Sequence, residues 1–435
     1  MRGFPLALLT LLSLAATPLP AWAEAAITSK TLEIDLWSGF DEAEGEAALA
    51  RATLRPGLKA KFGRSWRGEL AVRLELAEDE TGLGTVDTFS DLSRPLARSN
   101  TTRIEIDTAT LTWRRSSTFL TLGKQTIPWG KLDGLQVTDR FDAVRRRDYV
   151  FTDVRPDRIS RWGARLETDI GEWRADLALA LDPTVNQLAQ PGDRFSPTAP
   201  RQRAGLPEGV PLPPITVSDR DDIIEDATFG LRMTRRFDGG DVSLLALSGP
   251  DTDPVFAQGG TARMPEIRLN YPHRKLYGLT ASRSAGSLVW RAEAALIPDQ
   301  AVNIEVGPML AIDERIRWLG GVGLDWDAPG GFFVNAQIAV DHIQDGPEPL
   351  PRPETDSIAT LRAQKGFRND TVYLKGEYIG SLSDGDGFLR PALEWRLDDQ
   401  FTFRAGADII FGDHDGLFGQ FEDKSRAWVR MTWKL

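Results

Sequence analysis

Basic side chains are concentrated in one segment of the chain, residues 125–160. The segment carries Lys131, Arg140, Arg145, Arg146, Arg147, Arg155 and Arg158. Six Asp residues accompany these seven basic ones, so the net charge of the segment does not decide its selectivity. Guanidinium groups recognise carboxylates and phosphates, and a narrow cleft intensifies their field. If the segment folds inwards, we expect an anion-attracting constriction. If it stays outside, the same residues form a solvated cap or bind lipopolysaccharide phosphates.

Composition excludes several other chemistries. The 435 residues include no Cys and only three His. Thiolate-held metal centres and cysteine nucleophiles are therefore excluded, and little remains for a multi-histidine metal site. A net charge of −11 argues against general nucleic-acid binding. Neither G-x-S-x-G nor H-E-x-x-H occurs in the sequence. We accordingly expect a protein that is not an enzyme and that uses no cofactor, no metal and no nucleic-acid partner.

The N-terminus has the pattern of an export signal. Arg2 precedes an apolar stretch of 13 residues, and Ala21-Trp22-Ala23 forms a small-x-small cleavage site. This predicts a cleaved signal peptide over residues 1–23 and a single mature domain over 24–435. No later run approaches the ~18 apolar residues of a membrane helix.

The mature chain alternates between apolar and polar residues with a period of two. Phe401, Phe403 and Ala405, for instance, alternate with Thr402 and Arg404. Successive strand residues face opposite sides, and about ten tilted residues cross a bilayer. The pattern predicts 18 strands, with 16 as the rival count. They cover 31–37, 52–62, 67–77, 103–113, 117–124, 161–169, 173–182, 227–237, 241–249, 265–283 with a break, 287–297, 314–326, 332–343, 357–367, 370–380, 387–397, 400–411 and 424–435.

The connections between these strands decide the architecture. Short turns alternate with longer loops, which predicts an all-β, antiparallel, up-and-down transmembrane β-barrel with short periplasmic turns and long external loops. Aromatic residues near the short turns, such as Trp66, Phe237 and Trp433, agree with an interfacial belt. The proline-rich segment 183–226 is expected to be an external loop, either folded over the mouth or disordered. The apolar phase slips between Thr108 and Ala109, which predicts a bulge.

A barrel of this size encloses water, so the polar face of each strand should line a lumen. The predicted lumen-wall residues are Arg73, Arg165, Arg174, Arg232, Arg317, Arg404 and Arg430. Acidic residues alternate with them on the same face. Two interpretations stay open at this point: the charges neutralise one another and merely keep the lumen solvated, or the cations attract anionic solutes.

The stretch Leu122–Asp133 reads LGKQTIPWGKLD. With its motif residues Gly123, Lys124, Gln125, Trp129, Gly130 and Asp133, it resembles a proteobacterial family of porin-like outer-membrane proteins whose function is uncharacterised. The likeness covers about forty residues. It implies a barrel and transport across the outer membrane, without an established substrate.

These observations predict an integral channel of the Gram-negative outer membrane for small solutes, anionic or amphiphilic in character. The alternatives are an export pore for an acidic polysaccharide or lipid-like substrate and, less favoured, a membrane-embedded hydrolase. The expected partners are outer-membrane lipids, lipopolysaccharide, the barrel-assembly machinery and the solutes themselves. The sequence leaves the oligomeric state and the direction of transport open.

Overall fold

A computed structural model describes most of the chain. The described residues are 25–41, 47–78, 83–85, 87–149, 156–206, 209–220, 222–261, 264–306 and 309–435. The predicted signal peptide and Arg155 lie outside the described residues.

Long antiparallel strands dominate the fold, because period-two alternation gives each strand one apolar and one polar face. We number them β1 Ala25–Asp41, β2 Ala47–Phe62, β3 Trp66–Ala77, β4 Thr102–Arg115, β5 Thr118–Gln125, β6 Arg161–Ile170, β7 Trp173–Ala180, β8 Thr228–Phe237, β9 Gly240–Pro250, β10 His273–Ala285, β11 Leu288–Val306, β12 Met309–Ala328, β13 Phe332–Ile343, β14 Thr355–Phe367, β15 Val372–Ser381, β16 Asp386–Arg396, β17 Phe401–Phe411 and β18 Arg426–Lys434.

Each strand pairs with its sequence neighbour, and β1 pairs with β18 to close the barrel. The prediction of an 18-stranded transmembrane barrel is thereby confirmed, and the rival count of 16 is wrong. Closure leaves no unpaired barrel edge, as lipid requires. Short strands lie in the loops at Ala97–Arg98, Ala143–Arg146, Arg158–Ile159, Gln187–Leu188, Ile215–Val217, Val255–Thr261 and Met264–Asn270, with 3-10 turns at Pro200–Gln202 and Gly419–Lys424.

Large apolar side chains cover the outside of the barrel. They include Leu70, Leu177, Leu244, Leu361 and Leu393, each more than two-fifths exposed. Near the short turns the exposed residues become aromatic: Phe237, Phe332, Phe367, Trp395 and Trp433. Such a surface would be unfavourable in water and suits a lipid belt with an aromatic girdle. Within the described ranges, no helix has both the length and the apolar character needed to cross a membrane.

Two strand details differ from the sequence expectation. The predicted tenth strand, 265–283, is two elements: Met264–Asn270 pairs with Val255–Thr261 and Ile215–Val217 in a small separate sheet, and only β10 belongs to the barrel. Pro272 between them has no N–H to donate to a ladder, which favours the separation. The bulge expected after Thr108 lies one position earlier, since Ala71 pairs with Thr108 and Val72 with Ile106.

Candidate solute pathway

The first half of segment 125–160 lies against the inner wall of the barrel. Trp129 is fully buried, and its indole N–H donates to Asp176 on β7 at 3.0 Å. The guanidinium of Arg232 on β8 lies over the Trp129 ring, and Phe141 packs beside it. A side chain at Gly230 would collide with the ring, so this wall position admits only glycine.

One buried carboxylate of the wall anchors the segment. Glu293 on β11 accepts the backbone N–H groups of Lys131, Leu132 and Thr138, and also the Thr138 hydroxyl at 2.6 Å. Hydrogen bonds to a charged acceptor are about twice as strong as neutral ones. The backbone of the segment therefore turns around a single wall residue.

Apolar contacts fill the space between the segment and this sector of the wall. Ile127, Trp129, Leu132, Val137 and Phe141 pack against inward-facing wall residues. Those wall residues are Ala178, Ala180, Leu245, Leu247, Leu276, Ala295, Ile297 and Leu319. One side of the lumen is consequently occupied by a packed core, and any solute path must run along the other side.

The tip of the segment reaches across the lumen to β13 and β14. The N–H of Asp133 donates to Gln337 at 2.8 Å, and its carbonyl accepts from Gln337 and from Arg362. The Asp133 carboxylate lies 3.9 Å from Arg291 and is about two-fifths exposed. Asp133 thus projects a carboxylate into the remaining open space.

The returning half of the segment is held by ion pairs. Arg145 contacts Glu105 on β4 at 2.6 Å, and Arg147 contacts Glu75 on β3 at 3.0 Å. Arg73 and Arg103 share the same carboxylates, so four buried guanidinium groups form one network. The charges of Arg145 and Arg147 therefore face carboxylates and not open lumen.

Nearby guanidinium groups lower the pKa values of two carboxylates outside the barrel strands. Although burial alone would raise it, the guanidinium groups of Arg146 and Arg140 lower the pKa of Asp253 to about 2. Burial is likewise outweighed at Asp157, where Arg73 and Arg145 hold the pKa well below its usual range. Both carboxylates stay ionised at neutral pH.

The other predicted constriction residues are spread over the segment. Arg146 pairs with Asp253 at 3.0 Å and Arg140 with the same carboxylate at 3.7 Å. Arg158 pairs with Asp139, and Lys131 reaches Asp241 on β9 at 2.6 Å. The structure does not bring these residues together at one constriction, and their role in selectivity stays a prediction.

The motif residues occupy the entrance to the segment and its tip. Gly123 has φ +120°, and a Cβ there would lie 2.0 Å from the Ala109 carbonyl oxygen. Gly130 passes close to Asp139, where a Cβ would lie 2.7 Å from the Asp139 Cβ. Lys124 is buried, and Gln125 donates weakly to the Thr121 carbonyl. Together with Trp129 and Asp133, these residues direct the chain from β5 into the lumen.

The predicted lumen-wall residues all carry ion-pair partners. Arg165 and Arg232 share Asp176, while Arg174 pairs with Glu167 and Asp169. Arg317 pairs with Asp341 at 2.6 Å. Arg73 belongs to the network of the returning half. Only Arg404 and Arg430 of this predicted set line the open cavity.

The cavity has a volume of about 1020 Å³ and lies between Asp133 and strands β11–β18, β1 and β2. Its basic lining consists of Arg55, Arg291, Arg362, Lys375, Arg390, Arg404, Arg430 and Lys434; its acidic lining consists of Glu33, Asp133, Asp325 and Glu377. Eight cations against four carboxylates leave a cationic surface. A smaller cavity of about 500 Å³, which shares Thr402, Thr432 and Lys434, continues to the short-turn end.

Around Glu394, burial separates the two signs of charge. Glu394 on β16 is bonded by Lys375 at 2.5 Å and by Arg404 at 2.7 Å. The Glu394 side chain is 1% exposed, whereas Lys375 is 31% and Arg404 34% exposed. The carboxylate lies beneath its cations, so a solute in the cavity meets the cations first.

Sequence reasoning missed Arg362 and the anchoring role of Glu293. Arg362 shares the inward phase of β14 with Thr360 and Gln364, which was a readable signal. The partners of Glu293 are backbone N–H groups some 155 to 162 residues away in sequence, and no local pattern reveals them. Among the described residues, no group of three or more side chains could hold a metal ion.

No family model and no curated protein matches this sequence. Among solved structures, the fold is similar to OccAB1 of Acinetobacter baumannii, with 7% identity, a TM-score of 0.54, and coverage of 95% of this chain and 98% of that chain. OccAB3 of the same organism is 11% identical, with a TM-score of 0.51 and coverage of 95% of this chain and 99% of that chain. OccK8 (OprE) of Pseudomonas aeruginosa is 9% identical, with a TM-score of 0.50 and coverage of 95% of this chain and 98% of that chain. Identities this low show a shared barrel fold only.

Proposed function

We propose that this protein is an outer-membrane channel for small anionic solutes. A closed barrel with an apolar exterior is the form in which integral proteins cross the Gram-negative outer membrane. The cavity between the segment tip and β11–β18 supplies the aqueous path. Lipids and lipopolysaccharide surround the belt, and the barrel-assembly machinery is the proposed insertion partner. We propose no catalytic activity.

The observation that carries the anionic preference is the layered charge of the cavity wall. Lys375 and Arg404 face the lumen over a Glu394 side chain that is almost completely buried. Rings or rows of exposed cations favour anions in pores because they compensate for lost hydration. The net charge of −11 lies elsewhere on the chain, so the cationic lumen is a local arrangement.

Liposome swelling with size-matched sugars tests this proposal. Gluconate, glucose and glucosamine have similar dimensions and carry negative, zero and positive charge, and an ionophore carries the counter-ion of each charged sugar. We expect proteoliposomes to swell fastest with gluconate and slowest with glucosamine. Equal rates, or faster glucosamine entry, would contradict the anionic preference. Absence of swelling with every sugar would contradict the channel itself.

A paired variant makes the test specific to the cavity. Arg404→Gln with Arg430→Gln should slow gluconate entry and leave the glucose rate nearly unchanged. Arg235 is an exposed cation outside the cavity that pairs with Glu172, so Arg235→Gln serves as the control and should alter neither rate.

A further inference from the structure

A buried cluster of four aromatic side chains and one isoleucine lies beyond Arg390, on the outer side of the open cavity. Phe195, Phe388, Ile410, Phe418 and Phe421 are each at most 3% exposed. Phe388 and Ile410 belong to the outer ends of β16 and β17. The guanidinium of Arg390, which lines the cavity, lies 5.2 Å from the Phe388 ring centre. The aromatic cluster therefore adjoins the cavity through Arg390.

Phe195 is the member of this cluster that comes from the proline-rich segment. Its ring packs edge to face on Phe421, with 5.7 Å between the ring centres. It also lies 5.1 Å from the guanidinium of Arg426, which in addition lies 4.5 Å from the Trp37 ring. Two aromatic rings thus cover Arg426, and its side chain is 1% exposed.

Arg426 lies on the same wall as the cavity lining, at the outer end of β18. Asp408 binds Arg426 at 2.9 Å and Arg390 at 2.6 Å. Arg390 lines the cavity directly below. Removing Phe195 from the cluster would expose a cation that continues the basic lining to the outer mouth.

Residues 193–203, here called the strap, make polar contacts with other loops. The Gln420 side-chain oxygen accepts the N–H groups of Thr198 and Ala199 at 2.9 and 3.1 Å. The Gln420 amide donates to Gln202, and Arg201 pairs with Asp384 at 2.6 Å. These contacts join the strap to loops 382–385 and 412–425.

Residues with left-handed backbone conformations flank the strap. Gly192 has φ +94° with open space around it, and Ala204 and Gly205 have φ +55° and +79°. Glycine rotates cheaply between such conformations, which suits a hinge. Pro197 and Pro200 lie between the hinges and restrict the backbone there. The strap therefore has residues suited to hinges at both ends and a stiffer middle part.

We propose that the strap is an anion-responsive lid over the outer mouth, with Phe195 as its latch. An anion gains contact with the Arg426 guanidinium only when Phe195 has left it, so anion binding favours the open position. This inference rests on the proposed channel function. It adds a gate to that function and a cation that the gate covers.

The absence of Cys from the chain makes the lid testable by crosslinking. Phe195→Cys with Phe421→Cys is treated in a planar bilayer with a short bifunctional methanethiosulfonate. We expect the open probability to fall about tenfold, the equivalent of about 1.4 kcal/mol, and a reductant to restore it. Phe388→Cys with Phe418→Cys, at 6.0 Å between ring centres, fastens the neighbouring loop only and should show no such fall.

A second variant moves the gate the other way. Phe195→Ala should raise the open probability and make it independent of inorganic phosphate, which should open the wild-type channel. A crosslink without effect, or a wild-type channel that ignores phosphate, would overturn the lid and leave the channel intact. If the wild type and the variants fold correctly but never conduct, the channel function is overturned together with the lid.

Discussion

Arg404 and Arg430 lie directly opposite each other on β17 and β18. Like charges in this position destabilise a strand pair. Each guanidinium is compensated from its far side, Arg404 by Glu394 on β16 and Arg430 by Asp35 on β1, both at 2.7 Å. Both cations line the cavity. The pair therefore presents two adjacent positive charges to the lumen while the pairing of β17 and β18 stays intact.

The Arg404–Arg430 pair should govern conductance at low salt. In Arg404→Gln with Arg430→Gln, we expect about a threefold lower conductance in 0.05 M KCl, because cations no longer concentrate chloride in the cavity. The difference should nearly vanish in 1 M KCl, where the Debye length is about 3 Å. Single-channel recording measures both values. A deficit of equal size at both salt concentrations would point to a blocked pore and refute the electrostatic explanation.

Glu293 should hold segment 125–160, here also called the lumen segment, in place against the inner wall. In Glu293→Gln, the amide NH₂ group replaces one carboxylate oxygen and faces backbone N–H donors that it cannot accept. We expect this to weaken the docking of segment 125–160 to the wall by about 2–4 kcal/mol. We expect larger and noisier single-channel currents together with faster proteolysis within 125–160. Glu305→Gln, at an exposed position on the outer part of β11, is the control. If a stably folded Glu293→Gln channel gave currents as quiet as those of the wild type, the anchoring role would be refuted.

Gly123 should be required for barrel assembly. Its φ is +120°, and the Cβ of an alanine there would lie 2.0 Å from the Ala109 oxygen, which leaves no space for it. Gly123→Ala should abolish most of the heat-modifiable gel shift that reports a folded barrel. Gly376→Ala, where a Cβ meets nothing within 4 Å, should fold normally. Equal folding yields of the two variants would show that the β5 backbone adapts.

Acid should loosen the returning half of the lumen segment. Arg146 and Arg140 lower the pKa of Asp253 to about 2, outweighing its burial. A lowered pKa contributes stability that is present above the unfolded value near 4 and is lost as the pH falls towards 2. We expect steady currents from pH 5 to 8 and rising current noise below pH 4.

Asp253→Asn separates this titration from that of other carboxylates. The variant should be noisy already at pH 7, because Arg146 and Arg140 lose their shared carboxylate. Its noise should change little between pH 4.5 and pH 3. A variant that is as quiet as wild type at pH 7 would assign the acid response to other groups.

The strand pattern of the barrel was predictable because lipid outside and water inside impose opposite requirements on alternate residues. The prediction of the tenth strand was wrong in its bounds, because Met264–Asn270 also forms a strand but pairs outside the barrel. Its apolar residues Ile267 and Leu269 are buried in a loop core with Val185, a long-range contact that periodicity does not encode.

The inner wall was harder to predict than the outer one. Leu245, Leu247, Leu276 and Leu319 face the lumen, where sequence reasoning expected polar residues. They are buried by the lumen segment, so these strands are apolar on both faces, one against lipid and one against protein. The continuous apolar run at 244–247 was the available signal. The basic run Arg145-Arg146-Arg147 suggested a constriction, but its charges are distributed among Glu105, Glu75 and Asp253 by tertiary contacts.

The reversal potential of the wild-type channel in a tenfold KCl gradient tests the central claim most directly. A cavity lined by eight basic and four acidic residues, with Lys375 and Arg404 lying over the buried Glu394, should favour chloride over potassium, and the sign of the zero-current voltage should report anion selectivity. A zero-current voltage of the opposite sign, reproducible in single channels, would contradict the account of this lumen as a pathway for anions.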